Sequence, residues 1–349
     1  MPNGKPTVLI VDDSRTVRQL IRFALSRDSN ITVVGEAADP YEAREAIKAL
    51  DPDVITLDVE MPRMTGTQFL EKIMKLRPMP VVMLSTLTKR GSDVAIEALS
   101  AGAVDCLGKP DKASDIADGS FADSLCRAIH TASSARMFQK PPRVEASKST
   151  FEWNGRMALI GASTGGVDAI EQVLDKYPTN CPPTAITQHM PATFLASFAE
   201  RLNARYPFEV RLAEDGIVPR QGQVFLAPGG DHHLAITGTS QPRLHLEDGP
   251  LCAGHRPSVD RLFTTGAKMG NQVVGTILTG MGRDGAEGMK VLHDAGASTI
   301  GQDKDSSVVY GMPRAAFELG GVQKQLPLGS IGQEILSQCA QSSRGRLSA

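Results

Sequence analysis

The first 130 residues alternate short apolar runs with amphipathic stretches. This alternation is typical of strands joined by crossover helices in a parallel sheet. Between the first two runs, apolar residues recur at i, i+3, i+4, i+7 and i+8, which predicts one buried helix face. The predicted strands are Thr7 to Val11, Ile31 to Ala37, Val54 to Leu57, Val81 to Leu84 and Asp105 to Leu107. We therefore predict a doubly wound, flavodoxin-like α/β domain of five strands over residues 5–129.

The periodicity stops between residues 130 and 153. This stretch contains the prolines Pro141 and Pro142 and many Ser, Ala, Lys and Arg residues. Such a composition does not pack as a helix or strand and favours an extended connection. We predict a flexible basic linker here.

Alternation resumes after the linker and predicts a second, larger α/β domain over residues 154–340. Its sheet is expected to be mostly parallel, with antiparallel hairpin character between Val224 and Leu246, where no long helical pattern intervenes. The predicted strands are Met157 to Ile160, Thr184 to Thr187, Gln223 to Leu226, Leu234 to Thr237, Arg243 to Leu246, Val273 to Leu278 and Ser298 to Gly301. Helices are expected to begin near Gly166, Ala192, Pro257, Gly285 and Gly311. Residues 341–349 form a small polar tail that we expect to fray.

Composition narrows the class of protein. A chain of 349 residues suits two domains, and its net charge of −2 argues against binding nucleic acid or anionic lipid by bulk charge. Five cysteines without a Cys-x-x-Cys pair favour reduced thiols over a disulfide framework. No apolar run is long enough for a signal peptide or a membrane span. We expect a cytoplasmic, monomeric protein without membrane insertion.

Acidic residues follow two predicted strands of the first domain. Asp12 and Asp13 come directly after the first strand, and Asp58 ends the third. Each could simply cap the next helix, and for Asp12 or Asp13 alone that is the better explanation. In a doubly wound sheet, however, these strand ends meet at one crevice, where three carboxylates repel one another unless they share a hard cation. The cluster therefore predicts a Mg2+ site.

Two further residues complete a ring around this crevice. Ser85 ends the fourth predicted strand, and Lys109 follows the fifth. A lysine can pair with a phosphoryl oxygen, and a hydroxyl can donate to one. Helix capping does not explain five such residues on four different strand ends.

The segments that carry these five residues resemble the receiver domain of two-component response regulators. They read VDDS, ITLDVEMP, VVMLST and GKP. The resemblance implies that Asp58 accepts a phosphoryl group from a histidine kinase, and that Ser85 and Lys109 take part in the receiver switch. Two positions differ from the usual pattern. Cys106 stands where receivers usually carry an aromatic residue, and Ser85 replaces the commoner threonine.

In the second domain, the segment ALIGASTGGVDAI places Ser163 between a predicted strand and a helix that opens with glycines. Glycine backbone lets N–H groups approach a ligand closely, and a helix amino terminus favours negative charge. Taken alone, the loop suits a serine nucleophile and a phosphate-binding loop equally well.

Two other strand ends favour the nucleophile. His189 follows the next strand in ITQHMP, and Asp284 follows a later strand in ILTGMGRDGAEG. A lone histidine would more often be structural, but together the three residues permit a serine activated by an imidazole that a carboxylate holds. The backbone N–H of Met281 is a candidate oxyanion donor.

The adjacent His232 and His233, with Asp231, suggest a metallohydrolase as a rival class. In a strand, neighbouring side chains point to opposite faces, so both rings cannot easily bind one ion. We therefore prefer a structural or substrate-lining role for this pair. A DNA-binding output domain is disfavoured because the second domain is close to neutral and has no basic recognition helix. An inactive, receptor-binding scaffold is disfavoured by the complete set of triad residues.

These motifs, with LAPGGDHHL, HRPSVDRLF and QDKDSSVVYGMPRAA, resemble the catalytic domain of chemotaxis protein-glutamate methylesterases. The order of receiver, linker and hydrolase domain matches that family over nearly the whole chain. The resemblance implies hydrolysis of glutamate γ-methyl esters on chemoreceptors, deamidation of receptor glutamines, and activation by phosphorylation. It implies Ser163 as nucleophile, Thr164 as its site neighbour, His189 as base and then acid, Asp284 as orienting carboxylate and Met281 as oxyanion donor. The implied partners are methyl-accepting receptors and a histidine kinase, and the esterase step needs no cofactor.

Overall fold

The computed structural model describes residues 4–86, 88–110, 119–137, 151–239 and 241–341. The chain divides into two compact units, Met1–Lys140 and Pro141–Ala349. Each unit is an α/β domain built around its own sheet. No helix in the described ranges is long and apolar enough to cross a bilayer.

The first unit contains a five-stranded sheet in the order β2-β1-β3-β4-β5, with every neighbouring pair parallel. Its strands are β1 (Thr7–Val11), β2 (Thr32–Ala37), β3 (Val54–Asp58), β4 (Val81–Ser85) and β5 (Asp105–Gly108). The helices described are α1 (Arg15–Ser26), α2 (Pro40–Leu50), α3 (Gly66–Leu76), α4 (Lys89–Ser100) and α5 (Ser120–Ser133). The flavodoxin-like fold predicted for this unit is confirmed.

Local sequence explains where these helices start. The side chains of Ser14, Asp39, Thr65 and Thr88 each accept a hydrogen bond from a backbone N–H in the first turn of the helix that follows. Helix α5 runs to Ser133 and so extends into the stretch predicted as linker. It continues because Ile129 and Ala132 still face the core. Residues 138–150 of that stretch lie outside the described residues.

The second unit contains a seven-stranded, all-parallel sheet in the order β14-β13-β12-β6-β7-β9-β8. A separate antiparallel hairpin joins β10 and β11, as the sequence indicated between Val224 and Leu246. The strands are β6 (Met157–Ala162), β7 (Thr184–Gln188), β8 (Glu209–Leu212), β9 (Gln223–Leu226), β10 (His232–Thr237), β11 (Arg243–Asp248), β12 (Val273–Ile277), β13 (Ser298–Gln302) and β14 (Lys324–Leu326). The helices are α6 (Gly166–Leu174), α7 (Ala192–Arg205), α8 (Val259–Gly266), α9 (Ala286–Asp294), α10 (Met312–Glu318) and α11 (Leu328–Cys339).

Three elements of this unit were not predicted. Strands β8 and β14 lie at the two edges of the sheet and are short and partly exposed, so they lack a continuous apolar run. Helix α11 carries Gly329 and Gly332, which weaken its helical pattern, yet Ile331 and Ile335 are fully buried. Ala340 pairs with Trp153 in an antiparallel bridge, and residues 342–349 of the predicted tail lie outside the described residues.

Candidate catalytic and phosphoacceptor sites

The three triad candidates follow three adjacent strands of the larger sheet. Ser163 follows β6, His189 follows β7 on one side, and Asp284 lies in the loop after β12 on the other side. The chain leaves β6 in one direction along the sheet and later returns on its opposite side, which makes β6 a topological switch point. In open parallel sheets, ligand sites form at the carboxyl ends of strands at such points.

Backbone hydrogen bonds extend the sheet beyond the strands and draw the loops together. Ser163 N donates to the carbonyl oxygen of Thr279 at 3.0 Å, and His189 N donates to that of Ala162 at 3.1 Å. The side chain of Gln188 donates from Nε2 to the Ser163 carbonyl at 2.9 Å. The backbone of Ser163 is thereby fixed on both sides.

His189 and Asp284 form a buried, hydrogen-bonded pair. His189 Nε2 lies 2.7 Å from Asp284 Oδ2, and the two side chains are 6% and 1% exposed. Asp284 also accepts hydrogen bonds from Ser258 Oγ at 2.8 Å, Val259 N at 2.7 Å and Asp260 N at 3.2 Å. Burial by itself would raise the pKa of Asp284, but the bonds from His189, Ser258 and Val259 outweigh it and lower the pKa to about 2. This carboxylate therefore stays charged at neutral pH.

Two glycines shape the loop that carries Ser163. Gly165 has a φ of 76°, a left-handed conformation that starts α6 directly after the serine. Gly280 lets the neighbouring loop pass close by, since a methyl group in its place would lie 2.8 Å from Ser163 Cβ. Within the described ranges, no hydrogen bond joins the Ser163 hydroxyl to His189. Catalytic hydrogen bonds are often long in unliganded enzymes and shorten when substrate binds.

The ring of His189 is held on one face as well as at one edge. The imidazole of His255 stacks on it, with centroids 3.8 Å apart and planes 6° apart. Nδ1 of His189 is buried and has no hydrogen-bond partner among the described residues. Because Asp284 occupies Nε2, Nδ1 is the nitrogen that remains to take a proton from the serine.

The predicted site neighbours lie on the same edge of the sheet. Thr164 follows the serine, and its carbonyl accepts from the Thr279 hydroxyl at 3.0 Å. Met281 belongs to the loop after β12, one residue beyond Gly280, and its side chain is 42% exposed. The Ser163 N–H is already bonded to Thr279, so it does not serve as an oxyanion donor in this arrangement.

The receiver candidates meet at the carboxyl edge of the smaller sheet. Lys109 Nζ lies 2.8 Å from Asp12 Oδ2 and 2.8 Å from Asp58 Oδ1. Asp12, Asp13 and Asp58 each offer a carboxylate oxygen, and these oxygens lie within 4.8 Å of one another. Burial raises the pKa of Asp58 to about 6, because Lys109 offsets only part of that cost and Asp12 adds repulsion. Burial lowers the pKa of Lys109, but its two carboxylate partners outweigh this and raise it above its ordinary value.

Ser85 lies at this edge, and its hydroxyl is hydrogen-bonded to backbone. It donates to the carbonyl of Gly91 at 2.9 Å, at the start of α4. Cys106, at the position where an aromatic side chain is usual, is buried in β5, and burial raises the pKa of its thiol. The structure thus places Ser85 beside the site without bringing it to Asp58.

The two adjacent histidines of β10 separate as strand geometry requires. His232 is exposed to solvent and pairs with Asp248, whereas His233 is buried. Both ring nitrogens of His233 are engaged, Nε2 with the Pro250 carbonyl at 2.9 Å and Nδ1 with Ser258 N at 3.1 Å. In the part of the chain that the structure describes, the only metal-binding group of His, Cys, Asp and Glu is the receiver triplet. The metallohydrolase alternative therefore finds no support in this arrangement.

Two parts of the chain match known protein families. Residues 158–335 match the CheB methylesterase family, and residues 8–119 match the response regulator receiver domain. The chain belongs to the CheB methylesterase family. The family resemblance and the enzyme class that we inferred from the sequence are thereby confirmed.

Curated relatives match this chain along almost its full length. It is 51% identical to a protein-glutamate methylesterase/protein-glutamine glutaminase of Rhizobium etli, over 97% of this chain and 98% of the relative. It is also 51% identical to a protein of the same description from Caulobacter vibrioides, over 95% and 98% of the two chains. The crystal structure of the Thermotoga maritima CheB methylesterase catalytic domain covers 53% of this chain and 98% of that domain, with 33% identity and a TM-score of 0.51.

Sequence reasoning missed the residues that surround the His189–Asp284 pair. Ser258, Asp260 and His255 all lie within HRPSVDRLF, a segment that entered the resemblance without a role for any residue. Ser258 could have been recognised as a helix cap, because serine before an apolar helical pattern is a common start signal. Its bond to Asp284 joins positions 26 residues apart and has no local signature.

Proposed function

We propose that this protein is a cytoplasmic enzyme that hydrolyses glutamate γ-methyl esters on chemoreceptors, releases methanol and deamidates receptor glutamines. The observation that carries the proposal is the buried, hydrogen-bonded pair of His189 and Asp284 beside the Ser163 loop, in a chain of the CheB methylesterase family. The relatives named above are described as both methylesterase and glutaminase. Both reactions break a bond at the same glutamyl carbonyl, so one nucleophile serves both.

Ser163, His189 and Asp284 perform the reaction as a triad. The Ser163 hydroxyl attacks the ester carbonyl while Nδ1 of His189 takes its proton, and the charged Asp284 stabilises the imidazolium. The imidazolium then protonates the departing methoxide, so that methanol leaves and a glutamyl ester of Ser163 remains. Water, deprotonated by His189, attacks that ester and returns the serine and a glutamate side chain. For glutamine, ammonia leaves in place of methanol.

Backbone N–H groups near the serine stabilise the oxyanion. The Ser163 N–H is taken by Thr279, which leaves this task to groups farther along the two adjoining loops. The N–H of Thr164, at the amino end of α6, and the N–H of Met281 are the donors that we assign. A helix amino terminus adds favourable potential for the developing charge.

The receiver unit carries the regulatory site. Asp58 accepts a phosphoryl group from the histidine kinase of the system, and Lys109 pairs with the phosphoryl oxygens. Asp12, Asp13 and Asp58 together offer only carboxylate oxygens as ligands. Lys109 Nζ lies near Oδ2 of Asp12, but the geometry is not that of a hydrogen bond, so this buried oxygen can still bind a cation. Such hard oxygen donors fit Mg2+, which when bound neutralises charge on the transferring phosphoryl group.

Phosphorylation activates the esterase by relieving obstruction. We infer, as a hypothesis, that the unphosphorylated receiver obstructs the esterase site and that a new charge at Asp58 shifts the population towards an open arrangement. Strand-end sites on both domains and a linker containing prolines permit such a mechanism. The segment from Trp153 to Ala349 should therefore have a higher basal turnover than the full chain. If truncation does not raise it, obstruction is wrong, and activation must act through receptor docking.

Mass spectrometry of receptor helices identifies substrate and chemistry together. Incubation with the enzyme should remove methyl groups from glutamates and convert specific glutamines to glutamates. A chelator should not affect the segment from Trp153 to Ala349, because the triad uses no metal. Full loss of turnover that zinc restores would instead support a metallohydrolase.

Labelling with acetyl phosphate and Mg2+ tests the receiver site. The phosphoryl group should appear on Asp58, and Asp58→Asn should not be labelled. Labelling that persists in this variant would move the phosphoacceptor elsewhere.

A further inference from the structure

A second serine contacts the carboxylate of the triad. Ser258 is fully buried, and its Oγ lies 2.8 Å from Oδ1 of Asp284, while His189 binds Oδ2 of the same group. A carboxylate has no proton to donate, so the Ser258 hydroxyl is the donor in this bond. The two oxygens of Asp284 are thus fixed by different partners, which sets the plane of the carboxylate.

The position of Ser258 is itself secured by His233. Ser258 N donates to Nδ1 of His233 at 3.1 Å, so that nitrogen carries no proton. Nε2 of the same ring then donates to the carbonyl of Pro250 at 2.9 Å. The ring of His233 is 99% buried, since the residue is 1% exposed, and both of its nitrogens are bonded. This histidine therefore acts on the backbone of Ser258 and does not face a ligand.

We propose that Ser258, held by His233, is a positioning residue for the esterase, because its hydroxyl orients Asp284 towards His189. This inference rests on the proposed triad and adds a fourth side chain to it. An oriented carboxylate fixes the tautomer and angle of the base, which matters for proton transfer from the nucleophile. Loss of the Ser258 hydroxyl should lower kcat and leave KM nearly unchanged.

A purely structural role is the alternative. Ser258 is the N-cap of α8, and its Oγ also accepts from Arg261 N. Removal of a serine cap by alanine destabilises a helix, whereas glycine in the same position costs only a few tenths of a kcal/mol. Alanine and glycine therefore separate the two roles: both remove the donor to Asp284, but only alanine removes most of the cap preference.

The experiment compares Ser258→Ala, Ser258→Gly and Ser298→Ala in the full chain with phosphodonor and Mg2+. Ser298 donates its hydroxyl to Gln338 at 3.1 Å, at the start of β13 and at the opposite edge of the sheet, so it controls for loss of a hydroxyl. We expect both Ser258 variants to lower kcat for methanol release by about tenfold to a hundredfold, with KM within about twofold. Ser298→Ala should stay within about twofold of wild type.

The same substitution in a chain without the carboxylate gives the deciding readout. The double variant Asp284→Ala, Ser258→Gly is compared with Asp284→Ala alone. The rate is measured as single-turnover release of radiolabelled methyl groups, and the two rates should differ by less than about twofold. Wild-type kcat in Ser258→Gly, or an equal loss with and without Asp284, overturns the inference. Wild-type kcat in Asp284→Ala alone overturns the proposed triad and the inference with it. If Ser258→Ala does not fold, the glycine pair still decides.

Discussion

Asp58 and Asp284 are both buried carboxylates at the carboxyl ends of parallel strands, yet their environments have opposite effects. Burial raises the pKa of Asp58 to about 6, whereas hydrogen bonds lower the pKa of Asp284 to about 2 despite burial. Asp284 accepts four hydrogen bonds. Asp58 has a lysine shared with Asp12 and one backbone donor, Glu60 N at 3.2 Å.

The difference separates a fixed charge from a reactive one. Protein hydrogen-bond donors stabilise the charge of Asp284 on both carboxylate oxygens, which suits a residue that must stay ionised throughout a catalytic cycle. Asp58 has fewer hydrogen-bond donors, so its ionised form is stabilised less than that of Asp284 and gains from a further cation. In the proposed receiver function, an oxygen of Asp58 forms a bond to phosphorus, and a carboxylate with few protein donors keeps an oxygen available for that step.

Among substitutions around the two carboxylates, the largest effect is expected at the fixed charge, and it should be smaller than the effect of removing the Ser163 nucleophile. Asp284→Asn should lower kcat for methanol release by about 10⁴-fold, because an amide in place of Oδ2 favours the wrong tautomer of His189. Steady-state kinetics on a methylated receptor measure the loss, and circular dichroism checks the fold. A loss below tenfold would mean that the charge of Asp284 is not needed.

The next effect concerns the scaffold behind that charge, and the adjacent histidines of β10 provide a matched pair. His233→Ala removes a buried ring and leaves Ser258 N without its acceptor, so it should reduce the free energy of unfolding by about 2 kcal/mol or more. His232→Ala breaks an exposed pair with Asp248 and should cost less than about 0.5 kcal/mol. Urea unfolding of both variants makes the comparison, and equal losses would contradict the assigned roles.

A smaller effect should follow from Mg2+ at the receiver. The raised pKa of Asp58 means that its contribution to stability is present below about pH 3.8 and is lost as the pH rises through about 6. Mg2+ competes with that proton, so the cation should raise the receiver melting temperature more at pH 8 than at pH 5. Calorimetry at matched ionic strength tests this. Asp58→Asn should lose most of the pH dependence, and an equal Mg2+ shift at both pH values would contradict the assignment.

The smallest effect is expected at Asp260, the acidic neighbour of the fixed charge. Burial and the adjacent Asp284 raise the pKa of Asp260 to about 6, so ionisation of this residue opposes folding as the pH rises through that value. Asp260→Asn keeps an oxygen to accept from Gly288 N and removes the repulsion. Its melting temperature relative to wild type should increase from pH 4 to pH 7, with kcat within about threefold. A relative decrease would show that Asp260 is needed as an anion.

The sequence predicted the central strands and the strand-end residues because both depend on local pattern. Strands such as Thr7–Val11 and Gln223–Leu226 consist mainly of apolar residues. Ser163 and His189 come just after two such strands, and Asp284 lies in the loop after a third. Edge strand Lys324–Leu326 has no such run and was missed. The residues that contact the His189–Asp284 pair were missed for a different reason. Ser258 and His255 reach it through loops, and hydrogen bonds or ring contacts between distant positions leave no periodic signal.

The receiver shows the same limit. The sequence predicts Lys109 beside the acidic cluster, and in the structure its Nζ lies 2.8 Å from an oxygen of Asp12 and 2.8 Å from an oxygen of Asp58. It also places Ser85 at the right strand end, but a strand end does not determine a rotamer, and the hydroxyl donates to Gly91 instead. Geometry of this kind depends on the neighbouring loop.

The most direct test of the account is the rate of methanol release by Ser163→Ala, measured beside wild type with phosphodonor and Mg2+. The substitution removes the attacking oxygen and almost no packing, so the fold and the labelling of Asp58 should persist. We predict a loss of several powers of ten in kcat. A Ser163→Ala variant that retains most of the wild-type rate would contradict the assignment of the nucleophile and, with it, the role given to the His189–Asp284 pair.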